Sequence, residues 1–192
     1  MIRRAIALAA SLAVPAIAAL GAQSGRTLIR NDFTTSAEGW TITGDAEPND
    51  PFDATHGHPG GCLTGVDAQF GETWFFHASP AVVQQLPNAI NGTVTFSLKQ
   101  SGGVASLVDD DVVIDGPAGR LSYRFKTGPG ADWTDFSVRL TESAGWTWNW
   151  NKRATQSQID SVLAHPARLE IRGEYVTGPD TGSLDNFRLI SD

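Results

Sequence analysis

Short segments in which apolar and polar residues alternate recur along this chain, and they limit the folds that it can adopt. The cleanest segment is 93–99, where Val94, Phe96 and Leu98 fall on one face. A period of two residues is that of a strand with one buried face. Turn-forming residues separate these segments at short intervals, and no strand–helix–strand rhythm appears. The pattern predicts an all-β sandwich or barrel.

The same alternation predicts which side chains share a core, because a one-residue slip in register would expose all of them. The predicted core residues are Val94, Phe96, Leu98, Tyr123, Phe125, Phe136, Val138, Leu140, Ile171 and Phe187. One short helix is also expected. Thr155 and Gln158 have the spacing of a capping box, apolar residues follow at helical spacing, and Pro166 ends the segment.

The C-terminal run, 169–189, reads as two strands joined by a turn-rich loop at 178–182. In the first strand, Glu170, Arg172 and Glu174 share the face opposite to the apolar one, which we interpret as a solvated sheet face. The two glutamates would lie about 13 Å apart along an extended strand, too far for the carboxylate pair of a glycosidase.

The N-terminus has the pattern of a secretory signal peptide. Arg3 and Arg4 precede an apolar, alanine-rich run at 5–20, which is shorter than the roughly 20 residues that a membrane-spanning helix needs. Small residues fit cleavage after Gly21, with Ala22 and Ser24 as alternatives. We assign 1–22 to the signal peptide, 23–30 to a linker and 31–192 to one domain. The chain is therefore expected to be secreted or periplasmic and not membrane-spanning, a membrane anchor being the alternative.

Charge and cysteine content narrow the function classes. The chain has 14 Lys and Arg against 21 Asp and Glu side chains. Without Arg3 and Arg4 the balance is 12 to 21, a net charge of −9, which argues against nucleic acid and anionic membranes as partners. Cys62 is the single cysteine, so no intrachain disulfide can form. We expect it to be a small buried hydrophobe, with an exposed thiol as the alternative.

Several short motifs follow one another along the chain in an order that is typical of one protein family. Besides the run at 169–189, they are Asn31-Asp32-Phe33, Glu38-Gly39-Trp40-Thr41, Gly44-Asp45-Ala46, His58-Pro59-Gly60-Gly61, Thr73-Trp74-Phe75-Phe76, Leu98-Lys99-Gln100, Asp110-Asp111-Val112-Val113, Leu140-Thr141-Glu142 and Gly145-Trp146. Over residues 31–190 this order resembles the laminin B domain, or laminin domain IV type A, in the single-module form of exported bacterial proteins. The resemblance implies a jelly-roll β-sandwich related to carbohydrate-binding modules, without known catalysis.

A structural calcium ion is the first candidate ligand. The first and last strands of such jelly rolls lie side by side, so Asp32, Asp185 and Asn186 would come together at the chain ends. Carboxylate and amide oxygens are the ligands that calcium takes. The alternative is ordinary capping of strand ends by Asp and Asn.

Two other polar clusters are weaker metal candidates. The loop holding Asp45, Glu47, Asn49, Asp50 and Asp53 resembles the start of an EF-hand, but it lacks the glycine at the sixth position and has His56 at the twelfth. We interpret it as a solvated acidic loop. His56 and His58 could share a face and bind zinc, but a third ligand is not evident.

Three tryptophans give the strongest indication of a ligand. On extended backbone, Trp146, Trp148 and Trp150 would share one face and could form a platform for sugar rings, with Asn149 bonding to hydroxyls. Trp146 fits the family's own core pattern. We therefore assign Trp148, Asn149 and Trp150 to ligand binding, with packing under a loop or against the helix as the alternative.

The motifs of common hydrolases, phosphate-binding loops and redox sites are missing from the sequence. The function predicted is a non-catalytic module that contacts carbohydrate or an extracellular protein. The alternatives are a purely structural or adhesive domain and a glycan-active hydrolase. An acidic cleft with two carboxyls about 5 to 9 Å apart would favour the hydrolase.

Overall fold

The computed structural model describes residues 25–48, 50–68, 71–102 and 108–192. The predicted signal peptide, 1–22, lies outside the described residues, as does Asn49 of the acidic loop. Within the described ranges, no helix has the length and apolar character needed to cross a membrane.

Thirteen strands and two α-helices form the described part of the chain. The strands are β1 (Thr27–Asn31), β2 (Thr41–Thr43), β3 (Phe52–Gly57), β4 (Gly60–Asp67), β5 (Phe75–His77), β6 (Thr93–Gln100), β7 (Val112–Gly116), β8 (Gly119–Tyr123), β9 (Thr134–Arg139), β10 (Thr147–Trp148), β11 (Lys152–Arg153), β12 (Arg168–Arg172) and β13 (Asp180–Ile190). The helices are α1 (Pro80–Gln85) and α2 (Gln156–Ala164).

Two antiparallel sheets form a sandwich. Sheet A has the strand order β3-β4-β13-β6-β9, and β1 also pairs with β13. Sheet B has the order β11-β10-β8-β7-β12-β5-β2. Core side chains from both sheets make one cluster. The predicted all-β jelly-roll sandwich is confirmed.

The predicted core is also confirmed. Phe96 and Phe136 are only 2% and 6% exposed, and their rings stack with centroids 5.7 Å apart. Tyr123 and Phe125 are half-buried at the margin of the cluster, and the other predicted core residues are buried within it. The apolar residues of β6 and β9 therefore face the core, as the alternation in the sequence predicts.

The predicted helix is α2, and its N-terminus has the expected capping box. The Thr155 hydroxyl accepts from the Gln158 backbone N–H at 3.3 Å, while the Thr155 N–H donates to the Gln158 side chain at 2.9 Å. The apolar residues of α2 are buried against the core. Helix α1 is an addition that the sequence analysis did not anticipate.

The first strand starts within the predicted linker. Part of the predicted linker, 23–30, belongs to β1, which pairs with the end of β13 from Thr27↔Ile190 to Asn31↔Phe187. At the other end of the chain, β13 starts at Asp180, so residues expected in the 178–182 loop are already in a strand.

The face of Glu170, Arg172 and Glu174 is not solvated, and that prediction is wrong. These side chains are only 5%, 3% and 6% exposed. Strand β12 lies inside sheet B between β7 and β5, and polar partners cover it. Arg172 pairs with buried Asp111 at 2.7 Å, and Thr43 donates to Glu170 at 3.1 Å. Strict alternation reports which face is apolar, but it does not reveal that the polar face is covered.

Trp74 is the centre of a tightly packed region between the sheets. It is fully buried, and three glycines, Gly65, Gly173 and Gly182, border its indole. We call these three the glycine cage. A Cβ on Gly173 would lie 1.9 Å from the Trp74 Cζ3 atom, and Cβ atoms on Gly65 and Gly182 would lie 2.7 and 2.9 Å from the ring. The indole fits only because these positions have no side chain.

The substitution Gly173→Ala should therefore destabilise the protein, near or beyond the upper end of the roughly 1 to 3 kcal/mol typical of overpacked cores. Gly130→Ala is the matched control, since a Cβ there meets nothing within 4 Å, and its effect should stay within about 0.5 kcal/mol. Urea denaturation of both variants measures the difference. Equal unfolding midpoints would show that the cage is not tight.

Candidate functional site

A polar groove lies on the outer face of sheet A, across β13, β6 and β9. Its volume is about 490 Å³, and it is lined by His58, Thr95, Phe96, Ser97, Asp135, Phe136, Ser137, Asn186 and Arg188. The strand register places Thr95 opposite Ser137 and Ser97 opposite Asp135. The Ser97 hydroxyl donates to Asp135 at 2.7 Å. Hydroxyl, carboxylate, amide and guanidinium groups thus converge on one surface.

An aromatic pair stands beside the groove. The rings of exposed His58 and half-buried Trp133 stack with centroids 5.8 Å apart and an angle of 23° between their planes. The Lys99 ammonium lies 4.6 Å from the Trp133 ring centroid and donates to the His56 carbonyl at 3.0 Å. Trp133 is therefore held in place from β6 and from the β3–β4 turn.

Asp185 and Asn186 hold the turn that carries His58. The Asp185 carboxylate accepts from the His58 backbone N–H at 2.6 Å, and the Asn186 amide donates to the His58 carbonyl at 2.6 Å. Asn186 has a φ of 54° at a bulge in the β13–β6 pairing, which turns its side chain out of the regular ladder. Burial raises the pKa of Asp185, which is fully buried.

Asp32 has two cationic partners, Arg30 and Arg188, which both donate to its carboxylate. Burial alone would raise the pKa of Asp32, but the hydrogen bonds and charges of the two arginines bring it below its ordinary value. Arginine charges thus occupy the place where the sequence analysis expects a cation. A calcium ion shared by Asp32, Asp185 and Asn186 stays a prediction.

The two histidines of the H-x-H pair have separate partners. His56 binds the Asp53 carboxylate through Nδ1 at 2.8 Å, while His58 stacks on Trp133. Cys62 is fully buried, as predicted, and its Sγ lies 3.5 Å from the Thr64 hydroxyl. Burial, its largest influence, raises the pKa of the thiol.

The predicted tryptophan platform has a different geometry from the one expected. Asn149 and Trp150 have positive φ angles of 46° and 81°, so the backbone turns over between β10 and β11. Trp146, Trp148 and Trp150 cannot share one face of an extended segment, and that prediction is wrong. Trp146 is buried, as its family pattern implied.

The predicted ligand residues of this hairpin differ in exposure. Trp150 is 74% exposed, and the Arg120 guanidinium lies 4.8 Å from its ring centroid. Trp148 is half-buried and donates to the Ala118 carbonyl at 3.3 Å. The Asn149 side chain accepts from the Arg120 backbone N–H at 3.0 Å, which makes it part of the turn. Ligand binding by Trp148, Asn149 and Trp150 stays a prediction.

Trp133 and the groove were not predicted from the sequence. Trp133 follows a stretch rich in glycine and proline and precedes β9. An aromatic residue at the junction of a loop and a strand was the available signal, but its neighbour His58 is 75 positions away. The pairing of β13 with β4 and β6, together with the pairing of β6 with β9, brings them together.

Known proteins resemble this chain in sequence pattern and in fold. The model of the Laminin B (Domain IV) family matches residues 78–191. No curated protein matches the sequence. Among solved structures, the L4b domain of human laminin alpha-2 has a TM-score of 0.62 at 10% identity, covering 86% of this chain and 99% of that one.

Two carbohydrate-binding modules also have this fold. The CBM22-1 xylan-binding domain of Paenibacillus barcinonensis Xyn10C has a TM-score of 0.53 at 12% identity, covering 89% of this chain and 99% of that one. The family 11 module of Clostridium thermocellum, in complex with a β-1,3-1,4-mixed-linked tetrasaccharide, has a TM-score of 0.53 at 13% identity, covering 88% and 96%. These structures show the fold, while the family match covers more than half of the sequence. The chain belongs to the laminin B (domain IV) family.

Proposed function

We propose that this laminin B domain is a non-catalytic glycan-binding module whose ligand lies in the groove on sheet A. The observation that carries the proposal is the His58–Trp133 pair beside a row of polar side chains. Sugar rings pack their apolar faces on aromatic rings while polar neighbours bond to their hydroxyls. The groove volume of about 490 Å³ is within the usual range for small-molecule sites.

The chemistry of the groove favours binding over hydrolysis. Glycoside hydrolysis uses a pair of carboxyl groups on either side of the bond. Among the described residues that line the groove, Asp135 is the one carboxylate, and Ser97 already donates to it. Arg188, Asn186 and three hydroxyls are suited to hydrogen bonding with a neutral or acidic sugar.

Two structurally similar proteins support a carbohydrate as the ligand. One is described as a xylan-binding domain and the other as a complex with a mixed-linked tetrasaccharide. Those ligands belong to those proteins, and they serve here as the first probes to test. Export from the cytoplasm, to the periplasm or beyond, is part of the same proposal because polysaccharides occur there.

One observation favours a second function, contact with an extracellular protein. Trp150 and Arg120 stack at an exposed hairpin on the edge of sheet B, whereas the groove lies on sheet A. Tryptophan and arginine are enriched at the centres of protein interfaces. Such a contact would use a surface separate from the glycan groove.

Replacement of Trp133 tests the glycan proposal. We expect Trp133→Ala to weaken glycan binding at least tenfold, which corresponds to about 1.4 kcal/mol, because an aromatic stacking surface is removed. A glycan array followed by titration calorimetry with the best oligosaccharide measures the loss. Trp150→Ala is the matched control and should bind as the wild type does.

The opposite pattern would contradict the proposal. Loss of binding in Trp150→Ala with full binding in Trp133→Ala would place the ligand at the hairpin that the sequence analysis selected. Failure of the wild type to bind any glycan on the array, or xylan and mixed-linked glucan in solution, would favour a structural or protein-binding role.

A further inference from the structure

Three carboxylates from both sheets meet where several strands end, and we call Asp45, Asp67 and Glu174 the acidic cluster. Asp67 is the last residue of β4 in sheet A. Asp45 follows β2 and Glu174 follows β12, which are strands of sheet B. One carboxylate oxygen of each residue lies within 4.8 Å of those of the other two.

Glu174 contributes a buried and unsatisfied carboxylate oxygen to the cluster. It is 6% exposed, and its Oε2 atom is buried without a hydrogen-bond partner among the described residues. The Oδ1 atom of half-buried Asp45 also has no hydrogen-bond partner among the described residues. In the described part of the chain, neither carboxylate forms an ion pair with Lys, Arg or His. Buried carboxylate oxygens are costly unless a donor or a cation meets them.

Asp180 adds a fourth negative group beside the cluster. It pairs with Asp67 across the β4–β13 ladder, and its oxygens accept from the Trp74 indole N–H at 3.5 Å and the Tyr175 backbone N–H at 3.3 Å. Burial, followed by the charges of Asp67, Asp180 and Asp45, raises the pKa of Glu174 to about 7. Like charges held this close repel each other unless a cation joins them.

We propose that Asp45, Asp67 and Glu174 bind a calcium ion that joins the two sheets. Oxygen-only ligands select a hard cation, and calcium accepts several carboxylates in irregular geometry together with water. Magnesium requires a stricter octahedron, and zinc prefers nitrogen and sulfur ligands. The orphaned oxygen of Glu174 and the one of Asp45 are the atoms that an ion would satisfy.

A cavity lies beside the acidic cluster. Its volume is about 570 Å³, and it is lined by Asp45, Glu47, Pro48, Val66 and Ala68. Asp45 belongs both to the cavity wall and to the acidic cluster, so we expect an ion to enter from that side. Water molecules in the cavity can complete a coordination shell of six to eight oxygens.

This site differs from the predicted calcium site at the chain ends. Asp32 is neutralised by Arg30 and Arg188, whereas no such cation faces Glu174 in the described structure. The two sites share no residue. Substitutions can therefore assign a bound calcium ion to one site or the other.

Calcium titration of the purified protein tests the proposal. After chelation and removal of the chelator, millimolar calcium chloride should raise the Tm and bind at one site by calorimetry, with magnesium chloride causing a smaller shift. Glu174→Gln should weaken calcium binding at least tenfold, because it removes a charged ligand. Asp50→Asn is the matched control, since Asp50 is an exposed carboxylate outside the cluster.

Two more variants keep the test decisive. Asp45→Asn, at a half-buried position, should also weaken calcium binding and serves if Glu174→Gln does not fold. Asp185→Asn should bind calcium normally. An unchanged Tm in millimolar calcium, normal calcium binding by both cluster variants, or loss of binding only in Asp185→Asn would overturn the proposal.

Discussion

Replacing Trp74 with alanine is expected to lower the free energy of unfolding by roughly 3 to 5 kcal/mol, the range for large buried aromatics. The indole is fully buried, packs edge-on against Phe76 with centroids 5.0 Å apart, and fills the glycine cage. The three glycines on its sides have no side chains that could move into the space that the indole would leave. The cavity cost should therefore be near the upper end.

Chemical denaturation of Trp74→Ala beside Trp150→Ala measures this effect. Both substitutions remove an indole, but Trp150 is 74% exposed, so its loss should change stability by about 0.5 kcal/mol or less. Similar destabilisation by the two variants would mean that Trp150 packs against more of the protein than its exposure indicates.

In the presence of a chelator, Glu174→Gln should stabilise the protein at pH 8 by about 2 kcal/mol. The pKa of the Glu174 carboxyl rises from 4.5 to about 7 on folding, which means that the folded state disfavours the ionised form by roughly 3 kcal/mol. Glutamine removes this penalty, but its buried amide lacks hydrogen-bond partners and offsets part of the gain. Burial is the largest cause of the shift, and Asp67, Asp180 and Asp45 are the charged groups that face Glu174.

The pH dependence of this gain has a defined sign. Because the folded state holds the Glu174 proton more tightly, wild-type stability falls as pH rises from about 4.5 to 7. The advantage of Glu174→Gln should be negligible below this window and complete above it. Millimolar calcium should reverse the order of the two proteins at pH 8 if the acidic cluster binds it.

Unfolding curves at pH 4.5 and pH 8, with chelator, measure the effect, and exposed Glu72→Gln is the matched control. An equal gain by Glu174→Gln at both pH values would contradict the raised pKa. A gain by Glu72→Gln of the same size would mean that general surface charge, and not the environment of Glu174, is responsible.

The sequence predicted the structure best within single strands and helices, where one hydrophobic period covers the whole element. Phe96, Phe136 and Phe187 were assigned to the core correctly because each lies on the apolar face of its strand. The α2 helix was predicted from its capping box, which depends on residues three positions apart. Secondary structure can be predicted from such patterns because the residues that determine it are close together in the sequence.

The candidate sites could not be predicted in the same way because their members are far apart in the chain. Glu174 appeared solvated on its strand, and its burial follows from Asp45 and Asp67 arriving from other strand ends. Asn149 and Trp150 were expected in extended backbone, but both adopt positive φ in a hairpin turn. Sequence periodicity does not show whether other residues bury the polar face of a strand, and it does not locate a three-residue loop.

The pairing of β1 with β13 has a consequence for how such a domain can be attached to other proteins. Thr27 lies opposite Ile190, so the chain arrives and leaves through neighbouring strands of sheet A. Neighbouring strands are only about 5 Å apart, and domains with adjacent termini tolerate insertion into a loop of a host protein. Such a domain can therefore be inserted into a single surface loop of a host protein. Successive copies would then project sideways from their host instead of lengthening it.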